Sequence, residues 1–147
     1  MEYRHTQFGH VIFIGLSFTM MAVFIIPIAL GFFPPALFVA LVFLAISVAL
    51  FYSLNVEISH NVLVCSFGIG LIRKQIPLSD IQEVRAVKNP WIAGWGIRWM
   101  PGQYWLWNVS GLRAVELLMK NGTRFRIGTD EPEILVHAIQ ANKLSAT

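Results

Sequence analysis

Residues 5–56, HTQFGHVIFIGLSFTMMAVFIIPIALGFFPPALFVALVFLAISVALFYSLNV, contain no Asp, Glu, Lys or Arg. The sequence Phe32-Phe33-Pro34-Pro35 divides this stretch into two apolar segments, residues 11–33 and 36–54. Each segment is close to the ~20 residues that a helix needs to cross a hydrocarbon core. The stretch therefore predicts a transmembrane helical hairpin, around which the rest of the chain is organised.

The length of the chain limits what the hairpin can carry. Of 147 residues, roughly 90 remain outside the spans, which is enough for one small soluble domain. We expect a cytoplasmic tail (1–10), the hairpin (11–54), one domain (55–142) and a second tail (143–147). The mean hydropathy of +0.62 then reflects the two spans and not the domain.

The positive charges indicate an orientation in the membrane. Ten of the eleven Lys and Arg residues follow Glu57, and the turn between the spans has none. Because cytoplasmic flanks collect Lys and Arg, we expect an integral, two-pass inner-membrane protein with both termini in the cytoplasm. A cleaved signal peptide fits poorly, since the apolar run is longer than the usual ~7–15 residues and a second span follows directly.

The C-terminal part shows the alternation of apolar and polar residues that is typical of strands. The predicted strands are 56–59, 62–67, 71–76, 81–87, 96–100, 105–109, 114–119 and 123–128, of which 81–87 has a helical turn as its alternative. A helix should follow, with Asp130 as N-cap, Glu133 as its capping partner and an end near Asn142.

Two registers are possible for the hairpin around Asn121-Gly122. A two-residue loop would place Leu117 opposite Arg126 and so mix apolar and charged residues on both faces. A three-residue loop with Gly122 left-handed pairs Leu117 with Phe125, and Glu116 with Arg126 on the other face. We predict the second register, with Leu117 buried and Arg126 exposed beside Glu116.

The order of these elements resembles that of a known family. The relevant sequences are 76–81 (IPLSDI), the 115–127 hairpin, and 127–132 (IGTDEP) running into the helix. With two spans before them, they resemble the small bacterial membrane proteins that carry a pleckstrin-homology-like (PH-like) domain. The resemblance covers residues 1–142 and implies a partly open barrel of about seven antiparallel strands capped by a C-terminal helix. It implies a binding or assembly role, without naming a ligand.

All five tryptophans lie within residues 91–107, between glycines and prolines. Tryptophan gathers at the membrane–water interface, and basic residues attract anionic lipid. We expect Trp105 or Trp107 to be core. The candidate lipid or partner surface comprises Trp91, Trp95, Arg98, Trp99, Arg73, Lys74, Arg85 and Lys88. A merely solvated basic face is the alternative for the cations.

Little in the sequence indicates catalysis. Cys65 lies in an apolar strand, and the four histidines lack the spacing of a zinc site. We expect no enzyme, no cofactor, no metal and no nucleic-acid partner. The predicted function is a membrane-anchored binding or scaffold module that contacts anionic lipid or a protein partner, which includes a second copy of the chain.

The alternative function is a subunit or assembly factor of a larger membrane complex. Small residues on the first span, namely Gly15, Ser17, Thr19 and Ala22, would permit close contact with another helix.

Overall fold

The computed structural model describes residues 2–32 and 34–144 and shows an α+β chain with two N-terminal helices in contact. The elements in chain order are β1 (Tyr3–Phe8), α1 (His10–Ala29), α2 (Pro35–Phe51), β2 (Ser53–Ser59), β3 (Val62–Phe67), β4 (Ile72–Pro77), β5 (Ile81–Lys88), β6 (Gly96–Met100), β7 (Tyr104–Asn108), β8 (Arg113–Met119), β9 (Arg124–Gly128) and α3 (Pro132–Leu144). Short 3-10 turns occupy Leu78–Asp80 and Trp91–Ala93.

Helix α1 has 20 residues and is long and apolar enough to cross a membrane, with none of its residues buried inside the protein. Helix α2 is also apolar but has only 17 residues. Both helices are shorter than the predicted segments, because α1 ends at Ala29 and the chain has already entered β2 at Ser53. Pro35 is the first residue of α2, where its missing N–H costs no hydrogen bond. Phe33, within the predicted break, lies outside the described residues.

The sequence predicted a tail over residues 1–10, but Tyr3–Phe8 form strand β1. It pairs with β2 in antiparallel register from Tyr3↔Ile58 to Phe8↔Ser53. The polar residues Tyr3, His5 and Gln7 share the inward face of this strand, so no apolar alternation marked it. Pairing satisfies an edge of β2 that would otherwise be open.

The strands form two sheets, with orders β1-β2-β3-β4 and β5-β8-β9-β7-β6. The barrel of about seven antiparallel strands that the resemblance implied is corrected to nine strands in the described residues, because β1 joins the eight strands predicted from the sequence. Strand β7 also runs parallel to β9. Strand β8 already has β5 and β9 as neighbours. The β6–β7 hairpin consequently joins the free side of β9, where β7 has the same direction as its neighbour.

The main core lies between the two sheets and beneath α3. Its fully buried side chains include Leu54, Leu63, Phe67, Leu117, Ile127, Leu135 and Ile139. A second, smaller core lies on the outer face of the five-stranded sheet, where Ala93, Tyr104 and Leu106 are buried with Met100 against them. The 3-10 turn at Trp91–Ala93 thus covers part of a sheet face that the sequence predicted to be exposed to solvent.

The predicted hairpin register is confirmed. Leu117 pairs with Phe125 and Glu116 with Arg126, and Gly122 has a φ of 82°. Leu117 is fully buried, as expected. The Asn121 side chain accepts hydrogen bonds from the backbone and hydroxyl of Thr123, which fixes the loop.

The predicted N-cap of α3 is wrong by one position. The backbone N–H of Leu135 donates to the carbonyl of Glu131, so the helix begins after Glu131 and Pro132 is its first residue. The Asp130 carboxylate instead lies 2.6 Å from Nε2 of His5. A contact from β1, which the sequence had not revealed, therefore takes the capping side chain away from the helix.

Candidate functional site

An open groove of about 520 Å³ lies between the apolar helices and the β-rich part of the chain. One wall is the start of α1, from Val11 to Leu16, and Phe51 lies at the end of α2. The opposite wall comprises Trp95, Gly96, Ile97 and Arg98, at the start of β6. We call this site, which lies between the helices and the start of β6, the interhelical groove. It brings part of the tryptophan-rich segment directly beside a helix that is long and apolar enough to cross a membrane.

Two glycines and one buried tryptophan direct β6 into this position. Gly94 and Gly96 have φ values of 66° and 95°, which side chains other than glycine rarely adopt, and they turn the chain from the 3-10 turn into β6. Ile97 pairs with Trp107, whose ring lies 5.0 Å from that of Phe67. Trp107 therefore anchors the β6–β7 hairpin to the main core.

The five tryptophans do not form one surface. Trp107 is 8% exposed and belongs to the core, as predicted for either Trp105 or Trp107, whereas Trp105 is exposed. Trp91 is 77% exposed, and Trp95 lines the groove. Trp99 pairs with Trp105 at the far end of the hairpin, with 6.3 Å between ring centroids. The predicted trio of Trp91, Trp95 and Trp99 is thus divided along the hairpin.

The β3–β4 turn also approaches the helices and was missed in the sequence. A Cβ atom at Gly68 would collide with the backbone carbonyls of Ala49 and Leu50 in the last turns of α2. Ile69 and Leu71 in the same turn are exposed, although both are large and apolar. The signal was present in the sequence Gly68-Ile69-Gly70-Leu71, where a turn carries apolar residues instead of the usual polar ones.

The predicted basic residues lie on three edge strands and do not form one patch. Arg73 and Lys74 are in β4, at the edge of the four-stranded sheet. Arg85 and Lys88 are in β5 and Arg98 is in β6, at opposite edges of the five-stranded sheet, about 19 Å apart at the usual strand spacing. Of these five cations, only Arg98 lines the interhelical groove.

Arg85 is engaged by a buried carboxylate. Its Nε donates to Oε1 of Glu116 at 3.0 Å, and Nε of Arg126 donates to Oε2 at 2.7 Å. Arg126 also donates to Oδ1 of Asn89 and lies 3.6 Å from the centroid of the Tyr104 ring. Burial alone would raise the pKa of Glu116, but the hydrogen bonds from Arg126 and Arg85 outweigh it, so that its pKa is lowered.

This network corrects the predicted exposure of the charged face. Glu116 is 2% exposed and the Arg126 side chain only 14%. The reason is the second core, in which Tyr104 covers the guanidinium of Arg126. Strand alternation predicted that this charged pair faces solvent, but the chain between β5 and β8 encloses it.

A second cleft, of about 270 Å³, lies between β4 and the β8–β9 hairpin. It is lined by Lys74, Arg124 and Asp80 and by the rings of Trp105 and Phe125. Nζ of Lys74 lies 4.7 Å from the centroid of the Phe125 ring. The cleft has both signs of charge, so it does not select an anion by charge alone.

Two residues with possible chemical reactivity, Cys65 and His5, make contacts inside the fold. Cys65 is buried, and burial raises the pKa of its thiol to about 12. His5 contacts Asp130 and Glu131, which join β1 to the start of α3. Within residues 2–32 and 34–144, no group of three or more His, Cys, Asp or Glu side chains could hold a metal ion.

No protein-family model matches this sequence, and no curated protein is significantly similar to it.

Proposed function

We propose that the chain is a two-pass membrane protein whose β-rich, PH-like domain lies against the cytoplasmic face and contacts anionic lipid as a binding or scaffold module. The observation that carries this proposal is the interhelical groove, in which residues 95–98 face the first turns of α1. Binding, and not catalysis, is the role proposed for the domain.

The position of the groove along α1 supports contact with the bilayer. Val11 to Leu16 cover about 8 Å of helix axis from the start of α1, where a spanning helix passes through the headgroup region. Trp95 lies beside these residues, and tryptophan is enriched at that depth. Arg98 adds a cation, worth about 1 kcal/mol near an anionic leaflet.

The β3–β4 turn provides a second point of approach. Gly68 contacts the end of α2, and the exposed Ile69 and Leu71 flank it. Apolar side chains that are exposed beside the end of an apolar helix have a favourable environment in a bilayer and not in water. Two separate segments of the domain are thus close to the helix ends.

The pairing of β1 with β2 supports an even number of spans. Strand β1 precedes α1 and β2 follows α2, so their pairing requires both ends of the helix pair to lie on one side of the membrane. Helix α2 would be about 26 Å long, slightly short for a core of ~30 Å, a mismatch that bilayers accommodate at modest cost. Signal-peptide cleavage would instead remove β1 from its sheet.

The PH-like assignment is supported by the order of elements. Successive antiparallel strands in two sheets lead to a C-terminal helix that packs on β5 and β8. The parallel contact between β7 and β9 is a feature that the resemblance did not imply. The resemblance supplies the expectation of a binding role, and the groove supplies its location.

Brominated lipid tests the proposed contact. The full chain is reconstituted in nanodiscs with anionic phosphatidylglycerol, and bromine on the acyl chains quenches nearby tryptophan. We expect brominated lipid to quench part of the tryptophan fluorescence of the wild type. The Trp95→Phe variant should lose the largest part of this quenching. Trp105→Phe is the matched control, because Trp105 lies at the other end of the hairpin. Equal quenching in the Trp95→Phe variant and the wild type would place the domain elsewhere.

A subunit of a larger membrane complex is the second candidate function. Gly15 is exposed on α1, and a Cβ atom there would have no heavy atom within 4 Å. Such a notch permits the close approach of a partner helix. Mass measurement of the detergent-solubilised chain separates the two functions, since a stoichiometric protein partner would favour the complex.

A further inference from the structure

The two walls of the interhelical groove differ in chemical character. The helix wall is mainly apolar, with Val11, Ile12, Leu16 and Phe51, and its one polar side chain, Ser47, donates its hydroxyl to the carbonyl of Phe43. Gly15 widens the groove there, because it has no side chain and its surroundings are open. The cation at the β6 side is Arg98. A ligand that matches both walls presents an apolar surface to the helices and an anionic group to Arg98.

Arg98, unlike Arg85 and Arg126 of the same five-stranded sheet, forms no ion pair in the described part of the chain. Arg85 and Arg126 both form ion pairs with Glu116. None of the ion pairs among residues 2–32 and 34–144 involves Arg98, whose Nε makes only a long, 3.5 Å contact with the carbonyl of Trp95. The guanidinium charge at the groove is thus balanced by no carboxylate of the described chain.

We propose that this groove is a binding site for one anionic phospholipid, with an acyl chain along the start of α1 and the phosphate at Arg98. The inference rests on the proposed membrane location. A free phosphate would leave the apolar lining exposed, and a plain hydrocarbon would leave Arg98 without a counter-charge. The volume of about 520 Å³ lies within the usual range for ligand pockets, roughly 300–1,000 Å³.

Retention of lipid by the purified full chain tests this site. The chain is washed extensively in detergent, supplied with phosphatidylglycerol and analysed by native mass spectrometry for phospholipid that remains bound. We expect one retained phospholipid per wild-type chain. Gly15→Leu should abolish retention, because the added side chain occupies the groove. Ala29→Leu adds the same side chain at the other, exposed end of α1 and should retain lipid as the wild type does.

The charged end of the site is tested separately. Arg98→Gln should weaken retention about fivefold, as expected for the loss of one cation–phosphate contact of ~1 kcal/mol. Arg124→Gln removes an exposed cation that does not line the groove and should have no effect. Circular dichroism verifies the fold of each variant, and should Gly15→Leu misfold, the two arginine variants still decide the question.

The outcomes separate this inference from the proposed function. Quenching of Trp95 by brominated lipid, together with undiminished retention in Gly15→Leu and Arg98→Gln, would overturn the binding site while the membrane contact stands. Loss of both signals in the wild type would overturn the proposed location as well. A protein found in the groove in place of lipid would also overturn the site and favour the complex.

Discussion

At the scale of single residues, Glu116 is a buried carboxylate that holds two arginines. It is buried between Arg85 and Arg126, and Arg126 is in turn enclosed by Tyr104 and Asn89. Removing one partner from a buried ionic group leaves the other charge without compensation, which is more costly than the loss of an exposed pair. The network therefore locks β5, β8 and β9 together on the outer face of their sheet.

We expect Glu116→Gln to destabilise the protein by about 3 kcal/mol, since it leaves the Arg126 charge buried without its counter-charge. Urea denaturation of the detergent-solubilised chain, followed by tryptophan emission, measures the change. Glu57→Gln is the control, because Glu57 is exposed in β2 and pairs across the strand with Arg4. Equal stabilities of the two variants would contradict the enclosed network.

The same carboxylate predicts a dependence of stability on pH. Because the folded-state pKa of Glu116 is lowered from 4.5, its contribution is present above about pH 4.5 and is lost as the pH falls through the folded value. Denaturation between pH 3 and 6 should therefore show an acid-sensitive part that is absent in Glu116→Gln. An identical acid dependence in both proteins would assign that part to other carboxylates.

At the scale of elements, the β3–β4 turn determines how the domain meets α2. Gly68 and Gly70 both have positive φ values, 46° and 86°, but only Gly68 approaches the helix backbone. Alanine at either position has the same kind of conformational strain. Only at Gly68 does the new Cβ atom also collide with carbonyl groups.

We expect Gly70→Ala to cost about 1 kcal/mol and Gly68→Ala to cost roughly 1–3 kcal/mol more, through overpacking against Ala49 and Leu50. Thermal unfolding of both variants in the same detergent compares them directly. Equal melting temperatures would mean that the turn does not rest on α2.

Strand β1 is the element that changes the domain boundaries most. It pairs along β2, and its Tyr3 hydroxyl donates to Oε1 of Glu131 at 2.9 Å. Burial, together with the adjacent Glu131 carboxylate, raises the pKa of this hydroxyl. A soluble fragment that begins at Val56 would lack β1 and part of β2, so experiments on the domain require the full chain.

Hydrogen exchange should distinguish a strand from a tail. In the full chain, about half of the backbone amides of β1 face β2 and should be protected, because an edge strand has a partner on one side only. Mass spectrometry of the peptide covering residues 2–9 measures this protection. Complete exchange within seconds would return the segment to the tail that the sequence predicted.

At the scale of the whole molecule, the proposed two-pass topology predicts which side of the membrane each part occupies. Cysteine accessibility tests the proposed orientation in intact cells. Ala36→Cys, beside the Pro-Pro turn, should react with an impermeant maleimide from outside, and Lys120→Cys, in the β8–β9 turn, only after permeabilisation. The parent chain is the control, because Cys65 is buried and its raised thiol pKa keeps it unreactive. The reverse pattern would invert the orientation.

The sequence alone determined those features that depend on neighbouring residues. The charge-free stretch identified two apolar helices, since length and composition suffice for that prediction. The β8–β9 register followed from the alternation of Leu117 and Glu116 and from the Asn121-Gly122 turn, because both act within one hairpin. The burial of Trp107 agreed with the prediction that Trp105 or Trp107 would be core.

Only the tertiary structure decided which distant segments meet. The pairing of β1 with β2 joins residues on opposite sides of the helix pair, and neither segment carries a local signal for the other. The division of the tryptophans and the burial of Glu116 depend on the β6–β7 hairpin joining β9. Alternation places a side chain on a face of its sheet, but a separate part of the chain decides whether that face is covered. That is why the interhelical groove, with Gly15 on one wall and Arg98 on the other, was not visible in the sequence.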